Sequence, residues 1–175
     1  QRSLVGSEMC IRDRSRSDLQ LFDIGTKDYA EVKGERISQR NSLVSAIRAK
    51  AEELDNYKVA FEYIVEEVAY TWFNRMIAIR FMEVNGYLPI RVLSSESGKH
   101  EPDIVTTPFD AGLEFTGEES GRIYELRDNN RLEELFRMLF IRECNHLHDI
   151  LPELFEATND YSELLLSLSL SLIHI

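Results

Sequence analysis

Apolar residues recur at spacings of three and four along three stretches of this chain, the period of a helix that turns one face toward a core. The first stretch carries Leu43, Ile47, Ala51 and Leu54, with Arg48, Lys50, Glu52 and Glu53 on the opposite side. Capping residues between Ser38 and Asn41 suit its start, so a helix is predicted over 40–55. Asn56 to Lys58 interrupts the pattern. A second helix is predicted over 59–85, where Ile64, Val65, Val68, Trp72, Met76, Ile77, Ile79 and Met82 fall mostly three or four apart. At 1.5 Å per residue it would run roughly 40 Å. It is apolar over more than one stripe, which predicts a central helix packed on two sides with Trp72, the only tryptophan, mostly buried. Asn85-Gly86 supplies a left-handed stop, and Pro89 prevents continuation.

No helical period survives over 90–121, where glycines, prolines and hydroxyl residues accumulate. Ile90 to Leu93 and Leu113 to Phe115 are candidates for a short strand pair, or for extended chain lying across helices. A third helical region is expected from near Gly121, broken at Asp128-Asn129-Asn130 and resumed over 131–150 through Leu132, Leu135, Phe136, Leu139, Phe140, Glu143 and Leu147. Pro152 suits the first turn of a short last helix through Phe155. The fold class is therefore mainly α, with a long central helix and an irregular loop or short-strand insertion around 90–121.

Composition narrows the functional classes. A chain of 175 residues is long enough for one ordinary core. The formal charge of −11 repels phosphate, which argues against an autonomous grip on duplex DNA. Of two cysteines only Cys144 lies in the body of the chain, so no disulfide framework forms there; this suits a cytoplasmic protein. The ends have a different wording. Residues 1–15 (QRSLVGSEMCIRDR and Ser15) and 167–175 resemble translated sequencing-adapter read-through and are expected to be foreign, leaving 16–166 as the region to interpret. Gly6 to Cys10 interrupts any run of about 7–15 apolar residues that a secretory signal needs. The Leu/Ser tail is too short for a membrane span of about 20 residues.

Several residues invite chemistry, and most decline it. His146 and His148 are two apart on a predicted helix, so their rings point about 200° away from each other. Cys144 and His148 are four apart and share a face, but a zinc site wants three or four ligands. Asp103 followed by Glu114 resembles the start of a metal-dependent nuclease core, yet the lysine expected two residues after the glutamate is missing. The GEESG of 117–121 lacks the Gly-Lys-Ser/Thr ending of a phosphate loop. Arg75, Arg80 and Arg91 flank the apolar helix. Contact with phosphate is one reading; the preferred one is pairing with Glu66, Glu67 or Glu83, or packing over aromatics.

The long ordered series of phrases says more than any one of them. LFDIGTKD (21–28), RISQRNSLV (36–44), AYTWFNRMIAIRFMEVNGYLPIRVLSS (69–95), RVLSSESGK (91–99), EPDIVTTPFD (101–110), ELFRMLFIRECN (134–145) and LPELFEATNDYSELLL (151–166) together resemble the N-terminal region of the PglX-type adenine-specific DNA methyltransferases of BREX phage-defence systems. The resemblance covers about Leu19 to Leu166. It implies a parent enzyme that uses S-adenosylmethionine to methylate adenine N6, with this chain as a mostly helical piece packed on the enzyme's own catalytic domain. DNA would be reached through the parent protein, other BREX proteins are further partners, and no membrane is implied. Such enzymes use an Asn/Asp-Pro-Pro-Tyr/Phe motif that holds an adenine turned out of the duplex. Here the four prolines, at 89, 102, 108 and 152, are never adjacent, and no glycine-rich cofactor turn follows a strand. No catalytic, cofactor-binding or metal-binding residue is therefore assigned, and the piece alone is expected to be inactive. The alternative reading is a stand-alone acidic helical adaptor that binds a protein through its Trp72 face.

Overall fold

A computed structural model describes residues 35–155 and 160–166. The expected foreign ends, and the LFDIGTKD phrase, lie outside the described residues. Six α-helices follow one another among those residues: α1 (Glu35–Leu54), α2 (Tyr57–Val84), α3 (Asp103–Thr106), α4 (Gly117–Asp128), α5 (Leu132–Ile150) and α6 (Asp160–Leu164). A 3-10 turn at Pro108–Asp110 separates α3 from α4. The protein is mainly α, and no strand occurs among the described residues. The described residues divide into two compact units, 35–74 with 160–166, and 75–155.

The first unit is built on α1, the first part of α2, and α6. The α1 stripe is buried at Leu43 and Ile47 and fades toward solvent at Leu54. Asp55 then takes a left-handed backbone, with φ of 51°. Asn56 restarts the chain as an N-cap: its Oδ1 accepts from the N–H groups of Lys58, at 3.0 Å, and Val59, at 3.2 Å. The α2 stripe in this unit buries Ala60, Ile64, Val65, Val68 and Trp72. α6 packs on α1. Trp72 is 0 % exposed, and its Nε1 donates to the Ser162 carbonyl at 2.8 Å, so the indole fills the core while its one polar atom is satisfied. A ring held this way belongs to the core and is not itself offered to a partner.

The second unit centres on α5. Its buried stripe of Leu135, Phe136, Leu139, Phe140, Cys144 and Leu147 follows the helical period, and α3 and α4 pack on it. α4 begins at Gly117, four residues before the expected start. Thr116 is the reason: its side chain accepts from Glu119 N–H at 3.2 Å, while the Glu119 carboxylate accepts from Thr116 N–H at 2.8 Å. That reciprocal capping box is written in the sequence as Thr-Gly-Glu-Glu, and its hydrogen bonds hold the Glu119 carboxyl below its usual range. The GEESG segment is thus the first turn of a helix. At the other end Asn130 takes φ of 55°, and Arg131 N–H reaches back to the Leu126 carbonyl at 2.8 Å, which ends α4 where a break was expected.

Three local expectations differ from the structure. The candidate strand pair does not form: 90–93 and 113–115 are loop, and between them lie α3 and the 3-10 turn, with Pro102, Ile104, Val105 and Pro108 buried. Residues 151–155 make a single turn closed by Phe155 N–H on the Leu151 carbonyl at 3.0 Å, instead of a short helix. The end of α2 also differs. In the second unit it buries Arg75, Ile79 and Glu83, four residues apart, and leaves Ile77, Phe81 and Val84 in solvent. The second apolar stripe is present, but nothing among the described residues covers it here.

Candidate functional site

The most elaborately built region lies just past α2. The helix stops in a Schellman turn: Tyr87 N–H donates to the Met82 carbonyl at 2.9 Å and Gly86 N–H to the Glu83 carbonyl at 3.1 Å. Gly86 sits at φ of 69°, a conformation that any residue with a Cβ adopts only under strain. Beyond the turn, two carboxylates fix the returning chain. Buried Glu83 accepts from Arg80 Nη1 at 2.9 Å, from Ser94 Oγ at 3.4 Å and from the backbone N–H of Leu93. Asp103 accepts from Ser95 Oγ at 2.8 Å and from Glu96 N–H at 2.9 Å. Two backbone bonds close the bracket, Asp103 N–H to the Ser94 carbonyl and Ile104 N–H to the Arg91 carbonyl, each at 3.0 Å.

These bonds frame an open cleft of about 500 Å³ whose lining includes Glu83, Leu88, Arg91, Ser97, Asp103 and Thr107. Its chemistry is that of a scaffold. Both anchoring carboxylates already receive hydrogen bonds from the loop, and no three His, Cys, Asp or Glu side chains gather into a metal site among the described residues. Replacing Glu83 with Ala should release the loop, because it strands the buried Leu93 N–H without its acceptor, a loss of about 1–3 kcal/mol. Limited proteolysis should then cut between 91 and 103 at a rate well above that of the parent chain; unchanged cleavage would mean that Glu83 does not hold the loop.

The three arginines singled out in the sequence separate into different roles. Arg80 pairs with Glu83, as the preferred reading expected. Arg75 is buried in the second unit, close enough to Cys144 to act on its thiol. Arg91 is exposed at the cleft, and its guanidinium makes no hydrogen bond or ion pair among the described residues. That leaves Arg91 outside the pairing expected of it.

The α5 candidates are likewise placed. Cys144 is buried, and that burial pushes its thiol far above the usual range; the Arg75 guanidinium opposes the shift and Glu143 adds to it. A thiol so placed is inert as nucleophile or ligand. His148 Nδ1 donates to the Phe155 carbonyl, and His146 is exposed, so the histidines do not converge. Glu143, on the buried stripe, has an Oε2 with no hydrogen-bond partner, and desolvation pushes its carboxyl up to about 7. Asp103 serves the loop, whereas Glu114 is exposed and lends its carbonyl to Arg142 Nη2 at 2.9 Å. The Asp103 carboxylate is therefore spent on structure, whereas it is the backbone of Glu114, not its carboxylate, that Arg142 contacts. Sequence reading missed the anchoring roles of Glu83 and Asp103, for which no motif exists; the Thr116 cap did carry a readable signal.

No family model matches the chain. Two curated proteins do. The chain is 40 % identical over 165 residues to the adenine-specific methyltransferase PglX of Lacticaseibacillus casei (strain Zhang), a match that covers 90 % of this chain and 14 % of the relative. It is 38 % identical over 109 residues to the adenine-specific methyltransferase BrxX of Escherichia coli O9:H4 (strain HS), covering 61 % of this chain and 9 % of that protein. The chain thus spans a small share of the length of either relative. Identity at this level over so much of the chain extends the likeness first visible in its short phrases, and it relates the chain to the PglX family of adenine-specific methyltransferases.

Proposed function

We propose that this chain is the helical N-terminal docking region of an S-adenosylmethionine-dependent, adenine-specific (N6) DNA methyltransferase of a BREX phage-defence system, and that it acts in the cytoplasm. The observation that carries the reading is the 40 % identity to a methyltransferase of which the chain spans only 14 %. The region holds no adjacent prolines, so the adenine-gripping motif and the cofactor turn belong to the remainder of the polypeptide, which also contacts DNA and the other BREX proteins. No helix among the described residues is long and apolar enough to cross a membrane.

The test is a transfer assay with labelled S-adenosylmethionine and host DNA. The purified chain is expected to transfer no methyl group and to give no heat of cofactor binding, whereas the longer protein methylates adenine N6. Methylation by the chain alone would overturn the assignment of catalysis to the remainder. Methylation of cytosine by the longer protein would overturn the family reading.

A further inference from the structure

The exposed residues from 77 to 87 are uncharged: Ile77, Phe81, Val84, Asn85, Gly86 and Tyr87; Arg80 between them is half-buried, its side chain 44 % open. The large side chains among them are open to solvent at 38 % for Ile77, 59 % for Phe81, 72 % for Val84 and 65 % for Tyr87. The two charges within the same span, Arg80 and Glu83, are turned upon each other at 2.9 Å. The Schellman turn brings Tyr87 back onto Phe81, with ring centroids 6.2 Å apart, so the aromatic pair is preset. On a chain with 29 % charged residues and a net charge of −11, this strip is an apolar patch rimmed by charge, the pattern of an interaction site.

From this strip we infer that Ile77, Phe81, Val84 and Tyr87 form the docking surface for the remainder of the same polypeptide, the inference resting on the proposed place of this chain in a longer methyltransferase. Length supports that occupant: the chain spans 14 % and 9 % of its two relatives, so in a protein of that kind most of the polypeptide lies elsewhere and has to meet this region. Charge chemistry disfavours the others. The cation within the strip, Arg80, has its side chain 44 % open to solvent but is already paired with Glu83 at 2.9 Å, so the face disfavours nucleic acid and anionic membrane. Two copies of this chain would each bring −11 to the contact. The partner surface is therefore apolar, with room for two preset rings that act as anchors.

Hydroxyl-radical footprinting read by mass spectrometry tests this without altering the protein. In the 175-residue chain Phe81 and Tyr87 should oxidise readily and at a rate independent of concentration. In the longer protein both should be protected at least about fivefold, because interface cores exclude water. Equal oxidation in the two proteins would overturn the inference. So would protection of the chain alone that grows with concentration, which signals a second copy, or protection of the longer protein that appears only when another protein is added. A Phe81→Asp/Val84→Asp variant supplies the second arm: the helical signal and melting temperature of the chain should be retained, and protection at Tyr87 in the longer protein lost. Methylation measured on the same preparation separates the two readings. Methylation without protection sinks the docking face alone, and protection without methylation sinks the activity while leaving the face intact.

Discussion

Replacing Trp72 with Ala is expected to destabilise the first unit by about 3–5 kcal/mol, the cost of removing a large ring from a packed core. The indole is fully buried and its nitrogen donates to the Ser162 carbonyl, so both packing and a buried polar contact are lost. Phe at the same position separates the two contributions. It keeps most of the ring and removes the donor to a buried carbonyl, a change of about 1–3 kcal/mol. Urea unfolding of the three chains, followed by circular dichroism, reads the difference. A cost below about 1 kcal/mol for the Ala variant would fall in the range of surface substitutions, and the indole would then not be a core anchor.

Glu143→Gln should instead stabilise the second unit at alkaline pH. The Glu143 carboxyl, normally near 4.5, is pushed up to about 7 by desolvation. A group whose folded-state value is raised contributes stability that is fully present below 4.5 and is lost as pH climbs through 7. At pH 8 the native protein therefore holds a buried carboxylate whose Oε2 has no hydrogen-bond partner. The shift bounds the effect at on the order of 3 kcal/mol. The glutamine variant should gain about 1–3 kcal/mol over the parent at pH 8 and nearly nothing at about pH 4, where the carboxyl is largely protonated in both states. Denaturation midpoints at the two pH values decide it. A gain of equal size at both would mean that the amide simply packs better and that ionisation is irrelevant.

The helices and the burial of Trp72 were legible because each rests on a local period that tertiary packing reinforces. The 59–85 pattern gave α2 to within two residues at its start and one at its end. The Asn85-Gly86 stop was legible for the same reason, since left-handed backbone has a residue signature. Glu143 was already visible on the buried stripe of α5; what the period does not reveal is that no donor meets its Oε2. The 90–121 segment resisted because its order comes from long-range acceptors. Glu83 lies ten residues from the Leu93 N–H that it receives, and Asp103 seven from Glu96. No spacing rule announces such pairs. The surface strip was hidden by its own composition: Ile77, Phe81 and Val84 read as a second core-facing stripe, and hydrophobicity alone does not distinguish a face buried within a chain from one awaiting cover. The PglX likeness was carried by the order of many weak phrases, which no single residue accounts for.

The bracket between Ser94 and Asp103 has an evolutionary consequence. Its two ends are tied by side-chain and backbone bonds, while its tip, Glu96 to His100, is exposed. Closure is therefore enforced at the base, and lengthening the tip adds only about 0.6 kcal/mol for each doubling of the loop. Insertions and deletions should accumulate between 96 and 100 across descendants of this gene and be purged from α2, where one added residue rotates everything beyond it by about 100°. The same tip is where an epitope or a fluorophore can be grafted with least disturbance to the rest of the molecule.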